Sequence, residues 1–343
     1  MTVNTLQIYR YFLMTLDPVH VGTGGTRLGR VDMTIVREPG THLPKIPGTS
    51  LHGMIRSYAA HRYGKPWCAG QGQPGEGREG HCGCSTCPIC YTFGSITGER
   101  SYAGVVAISD ARILLFPVYS MVGPVWITSP TALRDAGLPK EGNRTNFMVD
   151  PDRAKWGGNG SELPTDKPLN LGWLMVERED DLPTLSWPDG DFPEEVKKRV
   201  VLVSDKLFSQ IVNSNLEVRT SVSINPESGA AEKGALFTYE AIPRATVLWM
   251  DMVVDDYRAK FPTTSKRFNK QNGRDNAGKD LDMSWKGPID VVTAGLEWAK
   301  HLGIGGMGTR GFGRVKQVAC FKPAEKNSGD GHSDPNVGEG GTP

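Results

Sequence analysis

The chain has 343 residues, 38% of them hydrophobic and 22% charged, which excludes wholesale disorder and leaves room for a real core in one or two domains. Lys+Arg 39 against Asp+Glu 38 gives a net charge of +1, so no global field attracts nucleic acid and any such binding must come from local placement of basic groups. Gly 42 and Pro 24 imply many turns and long loops, and exclude a coiled coil or an all-helical bundle.

Residues 6–16 (LQIYRYFLMTL) read as an opening strand, and the N-terminus lacks the basic and apolar regions of a secretory signal. A Gly-rich loop, HVGTGGTRLGR, leads into the alternating segment Val31–Val36. Pro47-Gly48 breaks the chain, Thr49 or Ser50 offers an N-cap, and a helix is predicted over Leu51–Tyr63. Leu51, Met54, Ile55, Tyr58 and Ala59 share one face of it, the expected core side. GVVAISDARILL then reads as an apolar strand ending near Asp110. The uncharged stretch Ile113–Leu133 is long enough to span a membrane, but Pro117, Gly123, Pro124 and Pro130 argue against a spanning helix. A soluble, cytoplasmic protein is the expectation.

Residues 134–200 are polar and show no periodicity. Leu216, Val218, Thr220, Val222 and Ile224 alternate with polar neighbours, INPESG makes a turn, and GALFTYEAI runs into TVLWMDMVV. This is the clearest strand–turn–strand signal in the chain. A polar loop over 263–288, a helix over Pro288–His301 and a Gly, Ser and acid-rich tail from 322, expected to be disordered, complete the order. Strands and helices alternate with large insertions, so the predicted class is α+β.

Four of the six cysteines, Cys82, Cys84, Cys87 and Cys90, crowd into HCGCSTCPIC. Without a secretion signal a disulfide framework is not expected, whereas overlapping Cys-x-x-Cys turns converge thiolates on one tetrahedral ion. A closed structural zinc site is predicted with Cys84, Cys87 and Cys90 as ligands. The fourth is Cys82, His81 or Cys68, with Cys82 favoured. An iron–sulfur cluster is the alternative. Cys320, among apolar residues, reads as an inert core thiol.

The loop 303–313 (GIGGMGTRGFG) follows a helix and precedes a strand, so it is neither a Walker loop nor a Rossmann opening. Its glycines would expose backbone N–H groups able to cradle phosphate, and Arg310 adds a planar donor fork.

HVGTGG, IPGTSLHGMIRS, the cysteine cluster running into FGS, VVAISDARI, VRTSVSINPESGAAEKGALFTYEAIP and GIGGMGTRGFGRV occur in that order. Together they resemble the RAMP superfamily, and within it the backbone subunit of type III CRISPR effector complexes. LLFPVYSMVGPVWITSP is most similar to type III-B subunits, and the cysteines before FGS to type III-A. The resemblance implies a single domain over residues 1–321. Its modified RRM (ferredoxin-like) palm would carry a zinc loop at 65–92, an insertion at 134–200 and a β-hairpin thumb at 210–248. It implies head-to-tail stacking along guide RNA, with other type III effector subunits and complementary target RNA as partners and no membrane.

It further implies that Asp32 cleaves the target, one site per subunit at regular intervals, with Mg²⁺ or another divalent ion. The thumb would displace a nucleotide pair and help the scissile phosphate reach in-line geometry. Guide contacts would come from His20, Lys45, the helix start at Ser50, His52, Arg56, Gly305, Gly306, Arg310 and Gly311. Asp110 reads as structural, through a hydrogen bond to a turn. The alternatives are an inactive structural subunit of the same superfamily, or a zinc-stabilised enzyme for a small phosphorylated ligand that uses the terminal glycine loop.

Overall fold

The computed structural model describes residues 6–24, 31–70, 80–97, 100–138, 147–158, 160–263 and 285–323. In chain order the first elements are β1 (Leu6–Thr15), β2 (Lys45–Ile46), α1 (Gly48–Arg62), α2 (Pro88–Phe93), β3 (Ser95–Thr97), β4 (Arg100–Tyr102), β5 (Val106–Ile108), β6 (Ala111–Val118), β7 (Val125–Thr128) and α3 (Pro130–Asp135). There follow β8 (Arg153–Lys155), β9 (Leu169–Leu171), β10 (Leu174–Arg178), α4 (Glu194–Lys197), β11 (Val200–Val203), α5 (Asp205–Ser214), β12 (Glu217–Ile224), β13 (Ala231–Ala241), β14 (Val247–Asp255), α6 (Pro288–Leu302) and β15 (Val315–Phe321).

The α+β class holds, built on one large mixed sheet. Its order is β15-β1-β14-β6-β7-β11-β8-β10-β9, with β2 on β6 and β5 on β14. The opening strand β1 lies inside the sheet, antiparallel to both β14 and β15. Its side chains alternate between two cores: Tyr11 and Leu13 face α1 and α6, while Phe12 and Met14 face a second cluster with Trp126, Leu138, Phe192 and Trp249. Burial on both faces is why β1 and β14 read as continuous apolar runs.

The segment whose sequence shows no periodicity contributes Ala136, Leu138, Phe147, Leu185, Phe192, Val196 and Val200 to that second core. Residues 134–200 hold β8–β10 and α4, and they extend the sheet through β11, which lies parallel to β7. Ile113–Leu133 is divided among β6, a turn, β7 and α3, and among the described residues no helix is long and apolar enough to cross a membrane.

Helix α1 buries Leu51, Ile55 and Ala59 fully, the face expected of it. It packs on α6 closely enough that a Cβ at Gly295 would collide with the Ile55 carbonyl oxygen. The helix starts at Gly48, earlier than predicted, and neither Thr49 nor Ser50 caps it. Instead Asp110 Oδ1 accepts the Gly48 N–H at 2.7 Å. The apolar strand predicted to end near Asp110 is two strands, β5 and β6, and Asp110 sits in the break between them.

The predicted strand–turn–strand is β12–β13, which forms a separate two-stranded sheet. Asn225 Oδ1 closes its turn by accepting from the Glu227 and Ser228 N–H groups. The hairpin is shorter than the 210–248 expected of a thumb: α5 precedes it, and from Val247 the chain enters the central sheet as β14. Val218, Val222, Ile224, Leu236 and Phe237 are exposed on it. The centre of the predicted polar loop (264–284) and the tail from 324 lie outside the described residues.

Candidate functional site

Four segments distant in sequence meet at the base of the β12–β13 hairpin. The Asp32–Met33 stretch adds to β13 in parallel: the Met33 N–H donates to the Thr238 carbonyl at 3.0 Å, and the Glu240 N–H donates to the Met33 carbonyl at 3.0 Å. Strand alternation then turns Asp32 to the same face as Thr238. Asp32 Oδ2 accepts from the Thr238 N–H and from its hydroxyl, each at 2.8 Å, and the Asp32 N–H returns a bond to Thr238 Oγ1 at 3.1 Å. Asp32 is otherwise exposed, and among the described residues Oδ1 has no partner. The Thr238 N–H and hydroxyl hold its carboxyl below the usual carboxylate range.

The loop after β1 and the terminal glycine loop close the other side. The Gly306 N–H donates to the His20 carbonyl at 2.9 Å and the Gly313 N–H to the Pro18 carbonyl at 2.8 Å. Gly305 has φ +86° and lies where a Cβ would strike the His20 carbonyl, so the approach requires glycine. Arg314 grips Asp17 through two bonds, at 2.5 and 2.9 Å, and this guanidinium holds the Asp17 carboxyl below its ordinary range. Phe312 and Tyr239 pack edge to face with ring centroids 5.4 Å apart.

Of the residues expected to touch RNA, this cluster contains His20, Gly305, Gly306, Arg310 and Gly311, but in different roles. His20 is buried, and its Nδ1 lies 2.6 Å from the Glu240 carbonyl, so it ties the loop to β13. Gly305, Gly306, Arg310 and Gly311 are exposed, and Arg310 has no partner among the described residues.

The remaining candidates lie elsewhere, each with partners of its own inside the fold. Lys45 pairs with Asp110 Oδ2 at 2.5 Å, and the same carboxylate occupies the N-terminus of α1, where phosphate was expected near Ser50. Asp110 is therefore structural, as its sequence setting implied. Arg56 is 6% exposed and faces inward, with Nε on the Cys68 carbonyl at 2.8 Å, Nη1 on the Phe93 carbonyl at 3.3 Å and Nη2 2.8 Å from His81 Nε2. His52 is half-buried, edge-on to Phe93 with centroids 5.2 Å apart, and burial followed by the Arg56 charge lowers its pKa.

The cysteines form a second centre. Sulfurs of Cys68, Cys82, Cys87 and Cys90 all lie within 4.8 Å of one another. Cys84, expected as a ligand, is exposed in a turn, where its thiol points to the Cys82 carbonyl at 3.4 Å. Cys68 takes its place: it ends a short 3-10 turn, Pro66–Cys68, that Arg56 fastens to the cluster. Cys87 immediately precedes α2 and Cys90 lies in its first turn, so the helix start brings both sulfurs to one side. His81 is hemmed in by Arg56 Nη2, 2.8 Å from its Nε2, and by the Ile96 nitrogen, 3.2 Å from its Nδ1.

The donor set fits a single thiolate-bound divalent ion. Sulfur separations of 3.7, 3.8 and 4.0 Å match the ~3.8 Å tetrahedral edge that Zn–S bonds of ~2.3 Å produce. A multinuclear iron–sulfur cluster would hold its cysteines farther apart. Arg56 supplies an independent indication, because no carboxylate among the described residues pairs with this buried cation. Burial disfavours its charge and Cys90, Cys68, Cys87 and Cys82 favour it. Lys65 is likewise opposed by burial, and the cysteines overcome that to raise its pKa.

Sequence reasoning missed Thr238, Glu240 and Arg37. Glu240 Oε2 accepts from Arg37 at 2.9 Å, and Arg37 reaches on to Asn213 at 3.1 Å. The available signal was the alternation of TYEAI, which puts Thr238 and Glu240 on one face of the hairpin.

The model of the RAMP superfamily matches residues 12–316. The chain is 29% identical over 342 residues to the CRISPR system Cmr endoribonuclease Cmr4 of Pyrococcus furiosus, covering 94% of this chain and 99% of that one. It is also 29% identical over 162 residues to the CRISPR system Cms endoribonuclease Csm3 of Methanothermobacter thermautotrophicus, covering 42% of this chain and 60% of that one. Among solved structures, a chain of the type III-B Cmr-beta complex bound to cognate target RNA superposes with a TM-score of 0.59 at 14% identity, covering 91% of this chain and 96% of that one. Oligomeric Cmr4 from Pyrococcus furiosus gives 0.53 at 22% identity, with 92% and 98% covered.

Proposed function

This chain belongs to the RAMP superfamily, and from that premise we propose that it is a backbone subunit of a type III CRISPR effector that lies along guide RNA and cuts paired target RNA through Asp32. The observation that carries this reading is the seating of an exposed carboxylate against the base of a projecting hairpin, beside a glycine loop bearing an exposed arginine. The relatives named as endoribonucleases and the target-bound complex of similar fold support it. Partners would be guide RNA, target RNA, further copies of this chain and other effector subunits.

We read the β15-β1-β14-β6 part of the sheet, with α1 following β1 and α6 following β14, as a modified RRM-like palm. That strand order is what a β-α-β-β-α-β chain produces, and it supports the label. The β12–β13 hairpin is the thumb, and its exposed apolar residues suit contact with bases pushed out of a duplex. Cys68, Cys82, Cys87 and Cys90 would hold a structural zinc that fixes the Pro66–Cys68 turn and the start of α2 against α1.

Asp32 is ionised and, with its pKa held low, a weak base. Its role is to orient: Oδ1 accepts the ribose 2′-hydroxyl and aligns it with the adjacent phosphorus. Attack there forms the 2′-oxygen–phosphorus bond as the bond to the 5′-oxygen breaks, leaving a 2′,3′-cyclic phosphate; the 2′-hydroxyl proton passes to solvent water and the departing 5′-oxygen takes a proton from it. A divalent ion, when bound, would neutralise charge developing on the phosphate. Glycine-loop N–H groups and Arg310 would hold guide backbone on the same side.

The test is cleavage of labelled complementary RNA by the assembled guide complex with Mg²⁺, comparing wild type with Asp32→Ala. Evenly spaced products lost in the variant, with target binding intact, support the reading. Binding without products in either protein makes this a structural subunit, and no guide association overturns the assignment.

A further inference from the structure

The Asp32 carboxylate is held not by its own loop but by the hairpin. Both hydrogen bonds to Oδ2 come from Thr238, and the peptide ladder on either side, through Met33 and Glu240, makes the two segments one small sheet. Only Oδ1 is left without a described partner. We infer that Thr238 is the positioning residue for cleavage: its hydroxyl fixes which Asp32 oxygen faces the RNA and couples the carboxylate to the seating of the thumb.

This rests on the reading of Asp32 as the cleaving residue. The Thr238 hydroxyl is suited to the task because it works in both directions, donating to Oδ2 at 2.8 Å while accepting the Asp32 N–H at 3.1 Å. That double use locks the Asp32 side chain against its own backbone. The backbone N–H of Thr238 alone would leave the carboxylate free to swing about a single bond. A hairpin displaced by a misfitting duplex carries Thr238, and therefore Oδ2, away with it. A cut would then be made only where the thumb is fully seated.

Thr238→Val keeps the β-branched shape and the backbone donor but removes the hydroxyl. Thr238→Ser restores the hydroxyl without the methyl group. In assembled guide complexes, single-turnover cleavage and target-RNA affinity are measured for both variants alongside Asp32→Ala. The expected result is cleavage slowed about tenfold or more in Thr238→Val at unchanged target affinity, with Thr238→Ser close to wild type. Undiminished cleavage in Thr238→Val while Asp32→Ala is inactive overturns the positioning role alone. Equal damage in Val and Ser variants, or loss of target binding in step with cleavage, also overturns it by showing a packing role. Undiminished cleavage in Asp32→Ala removes the reading of Asp32 itself, and Thr238 falls with it.

Discussion

Asp32 and Thr238, 206 residues apart, exchange three hydrogen bonds and leave one carboxylate oxygen facing outward. The depressed pKa has a consequence for activity. A carboxylate whose pKa is lowered by donors stays ionised below the ordinary Asp value of about 3.9. Single-turnover cleavage followed from pH 8 to pH 4.5 is therefore expected to show no acid limb attributable to Asp32. A limb near pH 6 that disappears in Asp32→Asn would show the carboxyl to be far more basic than its bonding allows.

Asp110 carries a stability prediction of known sign. Burial, the largest influence, pushes its pKa up, but Lys45 and the Gly48 N–H outweigh that and leave it lowered. Its stabilisation is then complete above the unfolded value of about 3.9 and is lost as pH falls through the folded value. Asp110→Ala removes both the cap of α1 and the partner of Lys45, and should cost about 1–2 kcal/mol in urea unfolding at pH 7. Asp110→Asn keeps a cap acceptor and should cost less. The gap between wild type and Asp110→Asn should narrow as pH is lowered toward 3.

What sequence reading could and could not reach follows from how local each signal is. β1, α6 and the INPESG turn announce themselves through periodicity and turn chemistry within a few residues. Strands β8–β10 span three to five residues, too short for a period, and part of their stability comes from pairing through β11 with a strand far upstream. Lys45 and Arg56 look alike in sequence, one basic residue just before a helix and one in its middle. Their partners, Asp110 at 65 residues' distance and Cys68 with the cysteine cluster, exist only in the fold. Asp32 stands out through resemblance alone. Thr238, which holds it, is marked only by the strand alternation that puts it on one face of the hairpin with Glu240.

The exchange of Cys84 for Cys68 among the convergent sulfurs separates two cysteines that sequence spacing ranked the other way. Cys84→Ser should keep about one zinc per chain and unfold at the wild-type temperature, because its thiol lies outside the convergent sulfurs. Cys68→Ser should lose the metal and melt roughly 5 °C or more lower, since zinc binding contributes directly to folding stability. Metal content by atomic emission together with thermal unfolding distinguishes them. Retention of zinc in Cys68→Ser with loss in Cys84→Ser would restore the ligand set expected from spacing.

Arg56 and Arg310, both candidates for phosphate contacts on sequence grounds, should part company in the same assays. Arg56 is buried against Cys68, Cys82, Cys87 and Cys90, whose thiolates would carry net negative charge around a divalent ion. Arg56→Met leaves that charge uncompensated and should weaken zinc affinity about tenfold or more in a chelator competition. Any effect on guide binding should be recovered by saturating zinc. Arg310 is exposed in the glycine loop, so Arg310→Ala should leave zinc and stability unchanged. Guide affinity should fall, and the slope of log affinity against log salt should flatten by about one contact. A flattened slope in Arg56→Met at full zinc occupancy would return Arg56 to the RNA surface and remove the argument that it exists to balance the thiolates.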